Sequence, residues 1–186
     1  MDNWLRSLCS KLPILPPWGD RGGLFLSLLF FSCGDELTVS PVPDCYVRYS
    51  CNISTINAVM EQTHQAQLDG PGGYVRIYEP RKLNLSDVVG TGGLLLLHSL
   101  DPKPIYYAFD LACPYCYRTG GSGPERLQRI QVSDDGTKAV CSKCDSEYGA
   151  IFWGSPAATA GPANKSNDIL RQYKATALGD QLVVTR

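Results

Sequence analysis

Two short stretches carry side chains that could do chemistry together: LACPYCY at residues 111–117 and VCSKC at residues 140–144. Each sets two cysteines apart by two residues, Cys113 with Cys116 and Cys141 with Cys144, and 24 residues lie between the pairs. A Cys-x-x-Cys turn aims both sulfurs at one point. Two such knuckles meeting face to face place four thiolates around one centre. Four soft donors suit Zn²⁺ in a tetrahedral site or an iron–sulfur cluster. Disulfides are the third outcome open to the same residues. Pro114 stiffens the first knuckle.

CPYC is also the active-site tetrad of glutaredoxins. That chemistry needs its first cysteine at a helix N-terminus, where the helix dipole favours the thiolate. The residues after Cys116 are YRTGGSGP, so no helix is expected there, and the second pair has no part in thiol–disulfide exchange. Other catalytic patterns are missing: there is no Gly-x-Ser-x-Gly and no phosphate loop. GTGG at 90–93 and GGSG at 120–123 read as turns. Asp134-Asp135 and the acids of 145–147 read as solvated groups. His64 and His98 read as surface or strand residues, remote from the cysteines.

The elements that must position the knuckles read as strands. The 186-residue chain is 44% hydrophobic, enough for a core, and its 18 glycines and 13 prolines favour short elements joined by turns. Net charge is −1 with no basic run, which argues against nucleic acid as a partner. Strand candidates cover residues 45–53, 74–78, 93–100 and 105–111. Residues 129–132 and 137–140 flank Asp134-Asp135-Gly136 as a hairpin that delivers the chain to Cys141. Residues 170–177 and 181–184 flank Leu178-Gly179-Asp180 as another. Residues 55–68 form a short helix or an irregular strand. Tyr106, Tyr107, Phe109, Phe152 and Trp153 are expected to fill the core. On an extended strand Cys45 and Cys51 face the same side about 20 Å apart, too far to bond to each other, and read as small buried hydrophobes. The expected class is all-β, a small antiparallel sandwich or barrel with a two-knuckle metal-binding subdomain.

The N-terminus reads as an address. LFLSLLFFSC at 24–33 is too short to span a bilayer and has the length of a signal-peptide apolar region. It resembles a bacterial lipobox, with Ser32 before the lipidation candidate Cys33; Phe30 departs from the usual leucine. Residues 1–23 exceed an ordinary charged leader, as a start placed too far upstream would explain. The expectation is a signal at 1–33, a tether at 34–44 and a domain at 45–186. It places the protein in the bacterial cell envelope, held to the membrane by a lipid on the periplasmic or surface side of the outer membrane.

From residue 73 onward the chain resembles a Rieske domain. CSKCDSEYGAIFWGSPAATAGPA and the following LRQYKATALGDQLVVTR match the order of parts in that family's C-terminal half. There, a ligand loop leads into a serine and an aromatic, then a Gly-Pro-Ala segment, a tyrosine strand and a final hairpin. Here these are Ser146, Tyr148, Gly161-Pro162-Ala163, Tyr173 and the strand at 182–185. The departure is at the ligands: the family's histidine positions hold Cys116 and Cys144, and the first loop is one residue longer. The resemblance implies a Rieske-like fold with metal loops at 112–118 and 140–149, and a third loop at Gly161, Pro162 and Ala163 that covers them. By position, Pro114, Ser142, Lys143, Ser146 and Tyr148 would support the ligands. It also implies a [2Fe-2S] cluster on four cysteines and one-electron transfer with a redox partner. The symmetric knuckles, and export without a twin-arginine signal, point equally to Zn²⁺ as a staple in a structural or binding module.

Overall fold

The computed structural model describes residues 39–61, 67–103 and 105–186. The lipobox-like stretch, Cys33, His64 and the first part of the tether lie outside them. Among the described residues ten strands form: β1 (Val47–Asn52), β2 (Tyr74–Ile77), β3 (Val88–Val89), β4 (Leu94–His98), β5 (Tyr106–Asp110), β6 (Gln131–Val132), β7 (Ala139–Val140), β8 (Glu147–Tyr148), β9 (Gln172–Leu178) and β10 (Gln181–Thr185). Three short helices accompany them: α1 (Ile56–Val59), α2 (Pro114–Thr119) and α3 (Gly161–Lys165). None is long and apolar enough to cross a membrane. Seven strands form one nearly closed, barrel-like antiparallel sheet in the order β2-β4-β5-β9-β10-β1-β3, and β6-β7-β8 form a second, small sheet. The all-β class expected from the sequence is the class observed.

Strand β4 explains how the two sheets share a core. Its run LLLLH is buried throughout. Successive side chains of a strand point to opposite faces. Leu94 and Leu96 therefore join Val47, Val75, Ile77, Ala108 and Leu182 inside the barrel. Leu95 and Leu97 face the other way, with Phe109 and Leu111, into a second cluster that contains Cys113, Cys116 and Cys141. A continuous leucine run is what a strand covered on both faces requires. Each such side chain contributes about 1.5–3 kcal/mol of burial.

Hairpin β9–β10 turns on Gly179 and Asp180, with Gly179 at φ 62°, and pairs Leu182 with Ala177. Strand β5 bridges β4 and β9, through Leu96↔Ala108 and Ala108↔Tyr173. The expected strand at 45–53 begins two residues later. The Cys45 N–H turns back onto the Pro43 carbonyl at 3.1 Å, so Cys45 lies in a tight turn. Its sulfur sits 3.6 Å from the Tyr173 hydroxyl. Cys45 and Cys51 are both half-buried against the barrel core. The described part of the tether is docked: Val42 is buried, and Arg171 donates to the Val42 and Ser40 carbonyls at 2.8 and 3.2 Å. Trp153 does not fill the core. It is 57% exposed, because the turn at Ile151–Trp153 ends on left-handed Gly154 and turns the indole outward.

Candidate metal centre

The first knuckle leaves β5 and is held by main-chain pairing with residues 128–130. Cys113 N–H donates to Gln128 O at 2.7 Å and Ile130 N–H to Leu111 O at 2.8 Å. A helix does start here, contrary to the sequence expectation. Cys113 is the N-cap of α2, and Pro114 occupies its first turn, where a missing N–H costs nothing and the ring presets φ. The glycines that argued against a helix act only at its end, after six residues.

The second knuckle follows β7. The Cys141 N–H donates to Ser146 O at 3.0 Å and the Asp145 N–H to Cys141 O at 2.9 Å, closing a turn with Asp145 at φ 55°. Within each knuckle main-chain N–H groups aim at the first sulfur. They come from Cys116 toward Cys113, and from Lys143 and Cys144 toward Cys141. Such donors favour a thiolate.

The topology brings the four sulfurs together. All lie within 4.8 Å of one another. Cys113 and Cys144 are 3.6 Å apart and Cys116 and Cys141 are 3.7 Å apart. With Zn–S bonds of about 2.3 Å, a tetrahedron around one ion has edges of about 3.8 Å. Four buried or half-buried cysteines at this spacing could hold a metal ion. Three are nearly sealed, with Cys113 0%, Cys116 6% and Cys141 1% exposed, and Cys144 is half-buried.

The protons of such a group are unevenly held. Cys141 is pulled down to about 5, first by the neighbouring Cys113 thiol and then by the main-chain donors, against the opposing effect of burial. The proximity of Cys141, then burial, pushes the Cys113 thiol up. Burial and then Cys144 push Cys116 up to about 12. Four anions this close repel one another, and a divalent cation between them removes that cost. Tyr148 adds a second sign. Its hydroxyl is buried without a hydrogen-bond partner, and burial followed by the nearby Cys113 raises its pKa. An orphaned hydroxyl costs roughly 1–3 kcal/mol. A metal-bound thiolate beside it would accept a hydrogen bond from it.

The residues named from sequence fall into two groups. Ser146 is fully buried: its Oγ accepts from the Ala163 N–H at 3.0 Å and from the Cys144 thiol at 3.2 Å. Gly161 stands at φ 79°, and a Cβ there would lie 2.4 Å from Asp145 O. The third loop can approach the second knuckle only through a glycine. Pro162 opens α3 and Ala163 is buried in the cysteine cluster. Ser142 and Lys143 are exposed. Lys143 reaches only Glu125, at 3.6 Å, so its contribution to the sulfurs is its main-chain N–H. His98 is buried in β4, its Nδ1 3.0 Å from Leu68 O and its ring stacked on Tyr106, away from the sulfurs.

Two features escaped the sequence reading. Asp110 is fully buried and accepts four hydrogen bonds: from the N–H groups of Thr91, Gly92 and Ala112, each at 2.8 Å, and from the Tyr173 hydroxyl at 2.9 Å. It fastens GTGG, the barrel strand β9 and the start of the first knuckle to one carboxylate. Gly90 is required by it, since a Cβ there would lie 2.6 Å from Asp110 Oδ2. The second feature is a bidentate pair between Arg118 and Asp168, with bonds of 2.8 and 3.0 Å, tying α2 to the segment after α3. The clue to the first was a lone acid in an otherwise apolar strand, YYAFDL.

Comparison with known protein families, curated proteins and solved structures gives no match for this chain.

Proposed function

We propose that Cys113, Cys116, Cys141 and Cys144 hold one zinc ion, and that this ion staples a binding or structural module built on a Rieske-like frame. The observation that carries the reading is the spacing of the sulfurs, all within 4.8 Å and closest at 3.6 and 3.7 Å. A [2Fe-2S] cluster puts two cysteines on each of two irons, so the iron–iron separation is added to the distance between pairs. Sulfurs gathered this closely favour a single ion. Zinc bound here supplies folding free energy and no redox chemistry. The chain's own residues do the rest: main-chain N–H groups hold the thiolates, Tyr148 and Ser146 place hydroxyls beside them, and α3 closes over the second knuckle. In the same proposal, Cys33 carries the lipid that holds the module at the bacterial envelope, and a protein partner binds its surface.

Electron transfer with a redox partner is the second reading. It is favoured by Cys144, the one ligand that reaches the surface, through which a docked partner would couple. Thiol–disulfide exchange with an external substrate is disfavoured by the burial of Cys113, 0% exposed, which an incoming disulfide cannot reach.

Metal analysis and a visible spectrum of the full chain purified without air separate these readings. A colourless protein with one zinc per chain is the expected result. Brown protein with two irons per chain would replace the zinc reading with the electron-transfer one. No metal in either form would refute both.

A further inference from the structure

The four sulfurs are not equivalent toward a reagent arriving from solution. Cys113 and Cys141 are sealed in the core, Cys116 is 6% exposed, and Cys144, half-buried, offers the most sulfur surface to a cleft of about 220 Å³. Tyr115, Thr119, Gly120, Glu125 and Lys143 line that cleft with it, and Cys116 borders it with only 6% of its surface exposed. The cleft is large enough for a small polar oxidant and its water.

The neighbours of Cys144 decide the outcome of an attack there. Its closest sulfur across the knuckles is Cys113 at 3.6 Å. Cys141, in its own knuckle, is instead in contact with Cys116 at 3.7 Å. A disulfide needs sulfurs at about 2.05 Å, so either cross-knuckle pair closes by a movement of less than about 2 Å.

We infer that Cys144 is a peroxide-reactive site and that its oxidation closes a Cys113–Cys144 disulfide across the two knuckles. The inference rests on the metal-thiolate reading only for the loss of metal that accompanies it. The Cys144 thiolate attacks one oxygen of hydrogen peroxide; an S–O bond forms, the O–O bond breaks and hydroxide leaves. The Cys113 thiolate then attacks that sulfur. The S–S bond forms, the S–O bond breaks and a second hydroxide leaves. The two thiolates supply the two electrons that reduce the peroxide, and two protons from solvent turn the hydroxides into water. Cys116 and Cys141 remain as the only donors, too few for a closed site. The centre thereby becomes a switch: the ligand set that fastens the subdomain is dismantled by one equivalent of peroxide.

The test uses the full chain purified under reducing, air-free conditions, with its metal content measured first. One equivalent of hydrogen peroxide is added, free thiols are alkylated, and disulfides are mapped after trypsin. Cleavage after Lys143 separates Cys141 from Cys144, so the candidate links fall in different peptides. The expected first product joins the peptide of residues 83–118 to that of residues 144–165, with fragmentation assigning the link to Cys113. Metal is expected to leave in step with it. A maleimide applied to the untreated protein is expected to label Cys144 at least about tenfold faster than the other three ligands. A first link of any other connectivity overturns the inference, as do four surviving thiols in tenfold excess peroxide or labelling that starts elsewhere. A chain without metal that still gives the Cys113–Cys144 link refutes the metal reading and leaves this one standing. Metal with a Cys141–Cys144 link does the reverse.

Discussion

In the barrel, β1 and β10 share five register pairs and so do β9 and β10; in the small sheet, β6 shares two with β7, and β7 two with β8. The barrel can be held by its ladders and by the apolar faces of long strands. The cysteine-bearing region has two-residue strands, helices of five and six residues and a core in which three of the buried side chains are thiols. Its own hydrogen bonds close turns and little more. The contrast teaches that one compact unit can contain a part that folds on burial and a part that needs an internal cross-link. Asp110 sits at their junction, with hydrogen bonds into both.

The largest effect should come from removing the metal. A strong chelator, or Cys113→Ser, is expected to lower Tm by on the order of 10 °C or more and to unfold the knuckles first. Amide exchange would show it: residues 112–168 lose protection while β1, β9 and β10 keep theirs. Simultaneous loss in both regions would erase the contrast.

A smaller effect is expected at the junction. In Asp110→Asn, an amide N–H₂ must face a main-chain N–H in place of an acceptor. The expected loss is about 1–3 kcal/mol in urea unfolding. Metal affinity should fall roughly 10–100-fold, because Ala112 and hence Cys113 lose their anchor. Unchanged affinity would confine Asp110 to the barrel.

The smallest effect concerns a barrel cysteine. Burial first, and then Asp180 and Asp87, raise Cys51 from 9.0 to about 12. A thiol that ionises later in the folded state than in the unfolded one supports folding fully below pH 9, and that support is lost as pH rises through about 12. Wild-type Tm should fall more steeply between about pH 9 and 12 than that of Cys51→Ser, while the two run parallel below about pH 8. Parallel profiles throughout would show that Cys51 is solvated, unlike the ligand cysteines.

The strands were legible wherever pattern and turn chemistry agree. The leucines of β4, the Gly179-Asp180 hairpin and the turn at Asp134-Asp135-Gly136 lie close to where they were expected. The four cysteines were legible because two knuckles have few other uses. The helix at Cys113 was misread because the glycines after it were weighed more heavily than Pro114 within it. Asp110 stood out only as a lone acid in an apolar strand, and its tie to Tyr173, like the Arg118–Asp168 pair, was invisible: these partners lie 63 and 50 residues apart in sequence, and no local pattern reports such distances.

The sequence by itself determined the all-β class and the four candidate ligands, since alternation, turn chemistry and cysteine spacing are local properties. Only the tertiary structure decided which sulfurs are neighbours, which one meets solvent, and that a buried carboxylate ties the barrel to the knuckle. Those depend on how separate strands stack, and the packing of side chains across layers fixes them.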